Sequence, residues 1–191
     1  LVYDTRFSFD GKLVAIGGAN GLLKVWNRET GKVVDLPGHR EGYVHVLFHP
    51  FERRLISADT EGIINLWRPE GLNRALNGSD GDPEEGFPKP IALLGHQGSI
   101  TRIQFSANGN YLASASADDT IRLWLTEDGT LLDVMSGHED EVLNLAFSPK
   151  GGGQYGTSYL ASSSRDGTVR LWQINNDVRP LRHGNRLYDV T

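Results

Sequence analysis

Phe7 and Trp26, Phe48 and Trp67, and Phe105 and Trp124 are each separated by 19 residues. A fourth pair, Phe147 and Trp172, is 25 apart, six more. Gly-His pairs at Gly38-His39, Gly95-His96 and Gly137-His138 keep the same register. His39 to Trp67 and His96 to Trp124 both span 28 residues, and His138 to Trp172 spans 34, again six more. Spacing this regular means a repeat architecture, because each unit must bury its apolar face against a copy of itself. The six extra residues fall around Gly151–Gly156, and fifteen more lie in Arg68–Pro90. Without them the 191-residue chain is 170 long, four repeats of about 42.

Each repeat reads as short strands. In the third, Ser99–Phe105, Tyr111–Ser116, Thr120–Leu125 and Thr130–Met135 are separated by Asn108-Gly109, Asp118-Asp119 and Asp128-Gly129. Asn, Asp and Gly tolerate the left-handed backbone that tight turns need, and runs this short suit strands rather than helices. The chain's 23 glycines belong mostly to such turns. Glu70–Leu76 predicts a helical turn or two within an otherwise polar, mobile insertion at 68–90.

On these residues the chain resembles the WD40 family. The motifs are Gly-His, Phe-Ser-Ala-Asn-Gly at 105–109, and Leu-Ala-Ser-Ala-Ser-Ala-Asp-Asp-Thr-Ile-Arg-Leu-Trp at 112–124, echoed at 160–172. Asn27, Arg68, Leu125 and Gln173 stand after the four tryptophans, where the family often has Asp. The resemblance implies an all-β fold of four four-stranded antiparallel β-propeller blades, an incomplete ring. The expected blades are 1–37, 38–94, 95–136 and 137–185, with 186–191 beginning a fifth repeat. Leu1 in place of Met, and strand sequences at both ends, read as part of a longer array.

The resemblance also implies a hydrogen-bonded set of His, Ser, Asp and Trp in each blade. The matching positions are His96, Ser114, Asp118 and Trp124, then His138, Ser162, Asp166 and Trp172. Ser116 or Ser164 could serve instead of the earlier serine. Repeat two offers His39, Ser57 and Trp67 with Glu61 at the acid position; repeat one has Ile16 and Asn20 beside Trp26. Weaker networks are expected in those two. Ser, His and Asp also suggest a hydrolase, but a serine nucleophile needs an oxyanion hole, and no Gly-x-Ser-x-Gly occurs. The expected role is structural, with no catalytic residue. Phe7, Phe48, Phe105 and Phe147, with Ile100, Val142 and Tyr43, are expected in the core.

Other chemistry finds little footing. Cysteine is absent and the net charge is −5, so disulfides, thiolate metal sites and a generic nucleic-acid surface are not expected. Gly151–Gly153 lacks the Lys-Ser/Thr of a phosphate loop and reads as a loosened turn. Asp80, Asp82 and Glu84 lack the glycine and closing glutamate of a calcium loop. Neither metal nor cofactor is expected, and no apolar run is long enough for a membrane span. The expected function is a non-enzymatic scaffold or sensor module, cytoplasmic, holding protein or peptide partners. The repeat style is similar to arrays attached to signalling modules. The resemblance implies docking through the turns that carry Arg40, Tyr43, Ser99, Glu141 and Arg165. Acidic Glu139–Glu141 suits a basic partner segment. Self-association of the four blades through uncovered ends is a further expectation.

Overall fold

The computed structural model describes residues 1–77, 89–149, 158–174 and 187–190. The chain divides into two compact units, 1–95 and 96–191, and each holds two four-stranded antiparallel sheets. In the first unit, sheet one is β1 (Val2–Phe7), β2 (Leu13–Gly18), β3 (Leu23–Asn27) and β4 (Val33–Asp35), in that order. Sheet two is β5 (Val44–Phe48), β6 (Leu55–Asp59), β7 (Ile64–Trp67) and β8 (Ile91–Leu93), with helix α1 (Pro69–Asn77) between its last two strands. In the second unit, sheet three is β9 (Ile100–Phe105), β10 (Tyr111–Ser116), β11 (Ile121–Leu125) and β12 (Leu131–Met135). Sheet four is β13 (Val142–Phe147), β14 (Ser158–Ser164), β15 (Val169–Ile174) and β16 (Leu187–Val190).

The repeated Phe-Ser-x-Asn/Asp-Gly motif makes the first turn of a sheet. Ser106 Oγ donates to Asn108 Oδ1 at 2.8 Å, and Asn108 Oδ1 accepts the Asn110 N–H at 3.1 Å. Gly109, at φ +77°, then closes the turn by donating its N–H to Ser106 O. Ser8, Asp10 and Gly11 repeat this arrangement in sheet one. Side chains that satisfy their own backbone replace the ladder bonds that end there.

Packing follows the two-residue period of strands. In the first unit, Ala15, Leu23 and Val25 of sheet one meet Val46, Phe48, Leu55 and Trp67 of sheet two. In the second, Ala113, Ile121 and Leu123 of sheet three meet Leu145, Leu160 and Trp172 of sheet four. Polar bonds reinforce the first pair of sheets. Arg53 donates from Nε and a terminal nitrogen to Asp10 Oδ2, at 2.9 and 2.7 Å, and to Asn73 Oδ1 of α1 at 3.2 Å.

Four expectations need correction. The helical turns expected at Glu70–Leu76 extend to a full helix over Pro69–Asn77, so this part of the 68–90 insertion is not a mobile loop: Leu72 and Leu76, spaced i and i+4, are buried in the first unit's core. Residues 78–88, like the Gly151–Gly156 turn, lie outside the described residues. Leu187–Val190 does not open a fifth repeat. It pairs along β15 from Val169↔Val190 to Trp172↔Leu187 and supplies the fourth strand of sheet four. Phe7 is not core; it is 62% exposed, on the face of sheet one turned away from sheet two.

Tyr43 is 48% exposed, and Val44 takes the buried place instead. The cause is a one-residue difference in strand length. β1, β9 and β13 each carry a bulge where Tyr3, Thr101 and Leu143 are the extra residues, and β5 runs without one. Counting back from Phe48 as from Phe105 therefore overshoots by one.

Candidate functional site

Each Gly-His glycine adopts a backbone that favours glycine, at φ +122° for Gly38, +133° for Gly95 and +155° for Gly137. A Cβ on Gly38 would lie 2.9 Å from Asn65 Nδ2, and one on Gly137 would lie 2.6 Å from a terminal nitrogen of Arg170. The chain thus passes close over the sheet and drops the following imidazole into it. All three histidine side chains are buried.

In sheet three the donors run in one direction. Trp124 Nε1–H donates to Ser114 Oγ at 2.9 Å. Ser114 Oγ and His96 Nε2 are 2.8 Å apart, and His96 Nδ1 is 2.8 Å from Asp118 Oδ2. With the indole hydrogen already on its oxygen, the serine gives its own proton to Nε2. The imidazole is then neutral, with its hydrogen on Nδ1, directed at the carboxylate. Burial holds the His96 pKa below its usual value and outweighs the pull of Asp118. Burial pushes the Asp118 carboxyl up, but hydrogen bonds from Thr120, the Gln97 N–H and His96 win and bring it to about 2. Sheet four repeats this with His138, Ser162, Asp166 and Trp172, all three links at 2.8 Å. There too the Asp166 carboxyl is lowered: burial opposes, and bonds from the Glu139 N–H and Thr168 prevail.

Sheet two holds a set just as complete, but its acid is not Glu61. His39 Nδ1 meets Asp59 Oδ2 at 2.6 Å, His39 Nε2 meets Ser57 Oγ at 2.7 Å, and Trp67 Nε1 donates to that oxygen at 2.8 Å. Asp59 stands at the end of β6, where sheet three has Ser116, and its other oxygen accepts the N–H groups of Glu61 and Ile63. Glu61 points out and is exposed. In sheet one Trp26 is 38% exposed, and Ile16 and Asn20 stand at the sequence positions of the serine and the acid.

Ser116 and Ser164, the alternative serines, bond elsewhere. They donate to Gly98 O and Asp140 O and accept the N–H of Asp118 and Asp166, which pins the loops at that end of each sheet together. Thr120 and Thr168 complete the acid sites, donating at 2.6 and 2.7 Å. The shared Asp-x-Thr spacing is the sequence signal for them.

The partner-facing candidates fall in both units. In the first, Arg40 is exposed, and Tyr43 packs edge-on against Tyr3, with ring centroids 4.3 Å apart. Tyr43 is tied to the neighbouring turns by a bridge to Ala19 and an N–H bond to Thr60 Oγ1. In the second unit, Ser99 O accepts the Ala117 N–H. Arg165 pairs with Glu141 at 2.9 Å, leaving Glu139 and Asp140 as the exposed acids of that loop.

The signature of the WD domain, G-beta repeat, matches residues 2–27, 31–68, 88–124 and 129–173. The chain belongs to the WD40 family. Among its relatives, human striatin-4 is 31% identical over 142 residues, 68% of this chain and 18% of that protein. Human coronin-7 is 33% identical over 147 residues, 73% of this chain and 15% of its own. The target of rapamycin complex subunit wat1 of Schizosaccharomyces pombe is 28% identical over 156 residues, 64% of this chain and 50% of its own. The chain thus spans half or less of these relatives.

Two computationally designed proteins share the fold at 29% identity. The match covers 92% of this chain and 46% of Ika8 (TM-score 0.69), and 92% of both this chain and Ika4 (TM-score 0.68). The architecture is that of propeller blades. No helix among the described residues is long and apolar enough to cross a membrane.

Proposed function

We propose that this WD40 array is a non-catalytic docking module that holds protein or peptide partners through the turns beside its Gly-His pairs. The observation that carries this reading is the half-exposed Tyr3–Tyr43 pair beside Arg40. Rigid aromatic rings and Arg are the side chains that most often anchor interfaces, because they bring large area at low entropic cost. In the second unit, exposed Glu139 and Asp140 favour a basic segment.

Burial speaks against the hydrolase reading. Ser114 is 0% exposed, and its oxygen is already engaged by an indole and an imidazole, so no acyl group can reach it. The lack of cysteine suits a reducing, cytoplasmic setting.

A photo-crosslinking residue placed at Arg40 tests the docking face. Bound partners should crosslink there and be lost in Tyr43→Ala and Tyr3→Ala, while far-UV circular dichroism stays unchanged. If partner capture is indifferent to both tyrosines, another surface is the docking face. A serine-reactive fluorophosphonate should leave Ser114 and Ser162 unlabelled; stoichiometric labelling of either would favour the hydrolase.

A further inference from the structure

Two phenylalanines of the first unit are exposed in hairpin turns rather than on the flat face of a sheet. Phe9 lies between β1 and β2 and is 54% exposed; Phe51 lies between β5 and β6 and is 59% exposed. Both turns are held by their own side chains. Around Phe9, Ser8 Oγ donates to Asp10 Oδ1 at 2.6 Å. The Phe51 N–H donates to His49 Nδ1 at 3.2 Å, and the Phe51 ring lies edge-on to the buried His49. Arg53 then ties the two turns and α1 together through Asp10 and Asn73. Aromatic rings fixed in water on rigid turns have little entropy left to lose on contact, which is the property of an interface anchor.

Charge sets this end of the unit apart. Lys12, Arg53 and Arg54 are met there by Glu29, Asp10 and Glu52. Arg28, Arg68, Arg74 and Lys89 are exposed beyond those pairs, and among the described residues of this end Glu70 is the one further acid. The end is therefore basic within a chain whose net charge is −5.

We propose that this end of the first unit is a second docking surface, taking an acidic protein segment whose apolar side chains cover Phe9 and Phe51. The exposed cations steer such a segment and repel a basic one, and the rings hold what the cations attract. The surface is separate from the docking face at Arg40 and Tyr43. Tyr43 bridges to Ala19 in the β2–β3 turn, at the opposite end of the strands from the β1–β2 turn.

Fluorescence anisotropy of a labelled peptide of repeated Glu-Leu-Asp-Phe, titrated with the whole chain, tests the proposal. Binding should saturate, weaken as salt rises, and fall about tenfold in each of Phe9→Ser, Phe51→Ser and Arg74→Glu, while Arg74→Lys keeps it. All three side chains are exposed, so the far-UV dichroism should be unchanged; Arg68→Glu replaces any variant that loses it. Phe51→Ser should leave partner crosslinking at Arg40 as it is, so the two docking faces fail separately.

No binding of the acidic peptide, or equal binding of repeated Gln-Leu-Asn-Phe, overturns the charge assignment. Folded variants that all bind like the parent overturn the surface. Tighter binding of phosphatidylserine vesicles or duplex DNA, lost in the same variants, overturns a protein segment as the occupant. Asp80, Asp82, Glu84 and Glu85 of the insertion, outside the described residues, are changed to Asn and Gln in a further variant. Peptide binding that arises only in that variant overturns a separate partner in favour of the chain's own acids.

Discussion

Ser114→Ala removes one oxygen from the centre of the sheet-three network. Trp124 Nε1–H, 2.9 Å from that oxygen, loses its acceptor, and His96 Nε2, 2.8 Å away, loses its donor. Ser114 is wholly buried, so water does not replace the hydroxyl. Each of the two groups left unpaired costs about 1–3 kcal/mol, and deleting the hydroxyl returns about 1 kcal/mol of its own desolvation, so the net loss is about 1–5 kcal/mol. For a chain of this size that lowers the melting temperature by about 2–20 °C.

Urea and thermal unfolding, followed by dichroism, measure it. Trp124→Phe provides the control. Once the indole N–H is gone, Ser114→Ala should cost less than in the parent chain, with a coupling of about 1 kcal/mol. Ser162→Ala in sheet four should behave alike, its oxygen sitting 2.8 Å from both partners. A loss under about 0.5 kcal/mol, or strictly additive effects, would refute the claim that the serine joins the indole to the imidazole.

Asp59→Ala should cost about 1–3 kcal/mol and Glu61→Ala less than about 0.5 kcal/mol, by the same unfolding measurement, because only the former strips a buried histidine of its acceptor. Acid should weaken the second unit in two stages. The folded pKa of His96 lies below its ordinary 6.5, so the unfolded chain takes up the proton first, and stability present above pH 6.5 declines as pH falls from there. Asp118, lowered from 3.8 to about 2, adds stability above pH 3.8 that is lost as pH drops through about 2. An Asp118→Asn chain with an unchanged acid profile would contradict that second stage. Gly21→Ala should destabilise far more than Gly31→Ala in thermal melts. The two glycines share a positive φ, +70° and +76°, but a Cβ on Gly21 would lie 2.5 Å from the His39 carbonyl oxygen, whereas Gly31 faces open space.

The repeat is legible because the chemistry recurs at fixed spacing. The Gly-His pairs, the Phe-Ser-x-Asn-Gly turns and the tryptophans mark where each sheet begins, folds back and is sealed, and the fold class follows from them. What escapes depends on neighbours rather than on the residue. Phe7 occupies the same register as Phe48 and has an equally apolar side chain, but its exposure is set by what lies against sheet one. Tyr43 falls one place off because a bulge is a property of strand pairing that counting residues does not reveal. Helix α1 is legible as a turn or two at Glu70–Leu76, but two leucines four apart are too faint a signal to show that it packs into the core. At Asp59 the difficulty is different: alignment by column points to Glu61, while hydrogen bonding asks only that a carboxylate reach Nδ1.

Such tolerance shapes how these repeats change over time. A carboxylate can approach the buried imidazole from either of two places, the strand end at Asp59 or the turn at Asp118 and Asp166. An intermediate ancestor with acids at both places could have discarded either one, so the switch between the two wirings need not cross a broken state. Repeats of one lineage can therefore diverge in spelling while keeping the same circuit. Comparing them by which atoms meet would group blades that a letter-by-letter comparison separates.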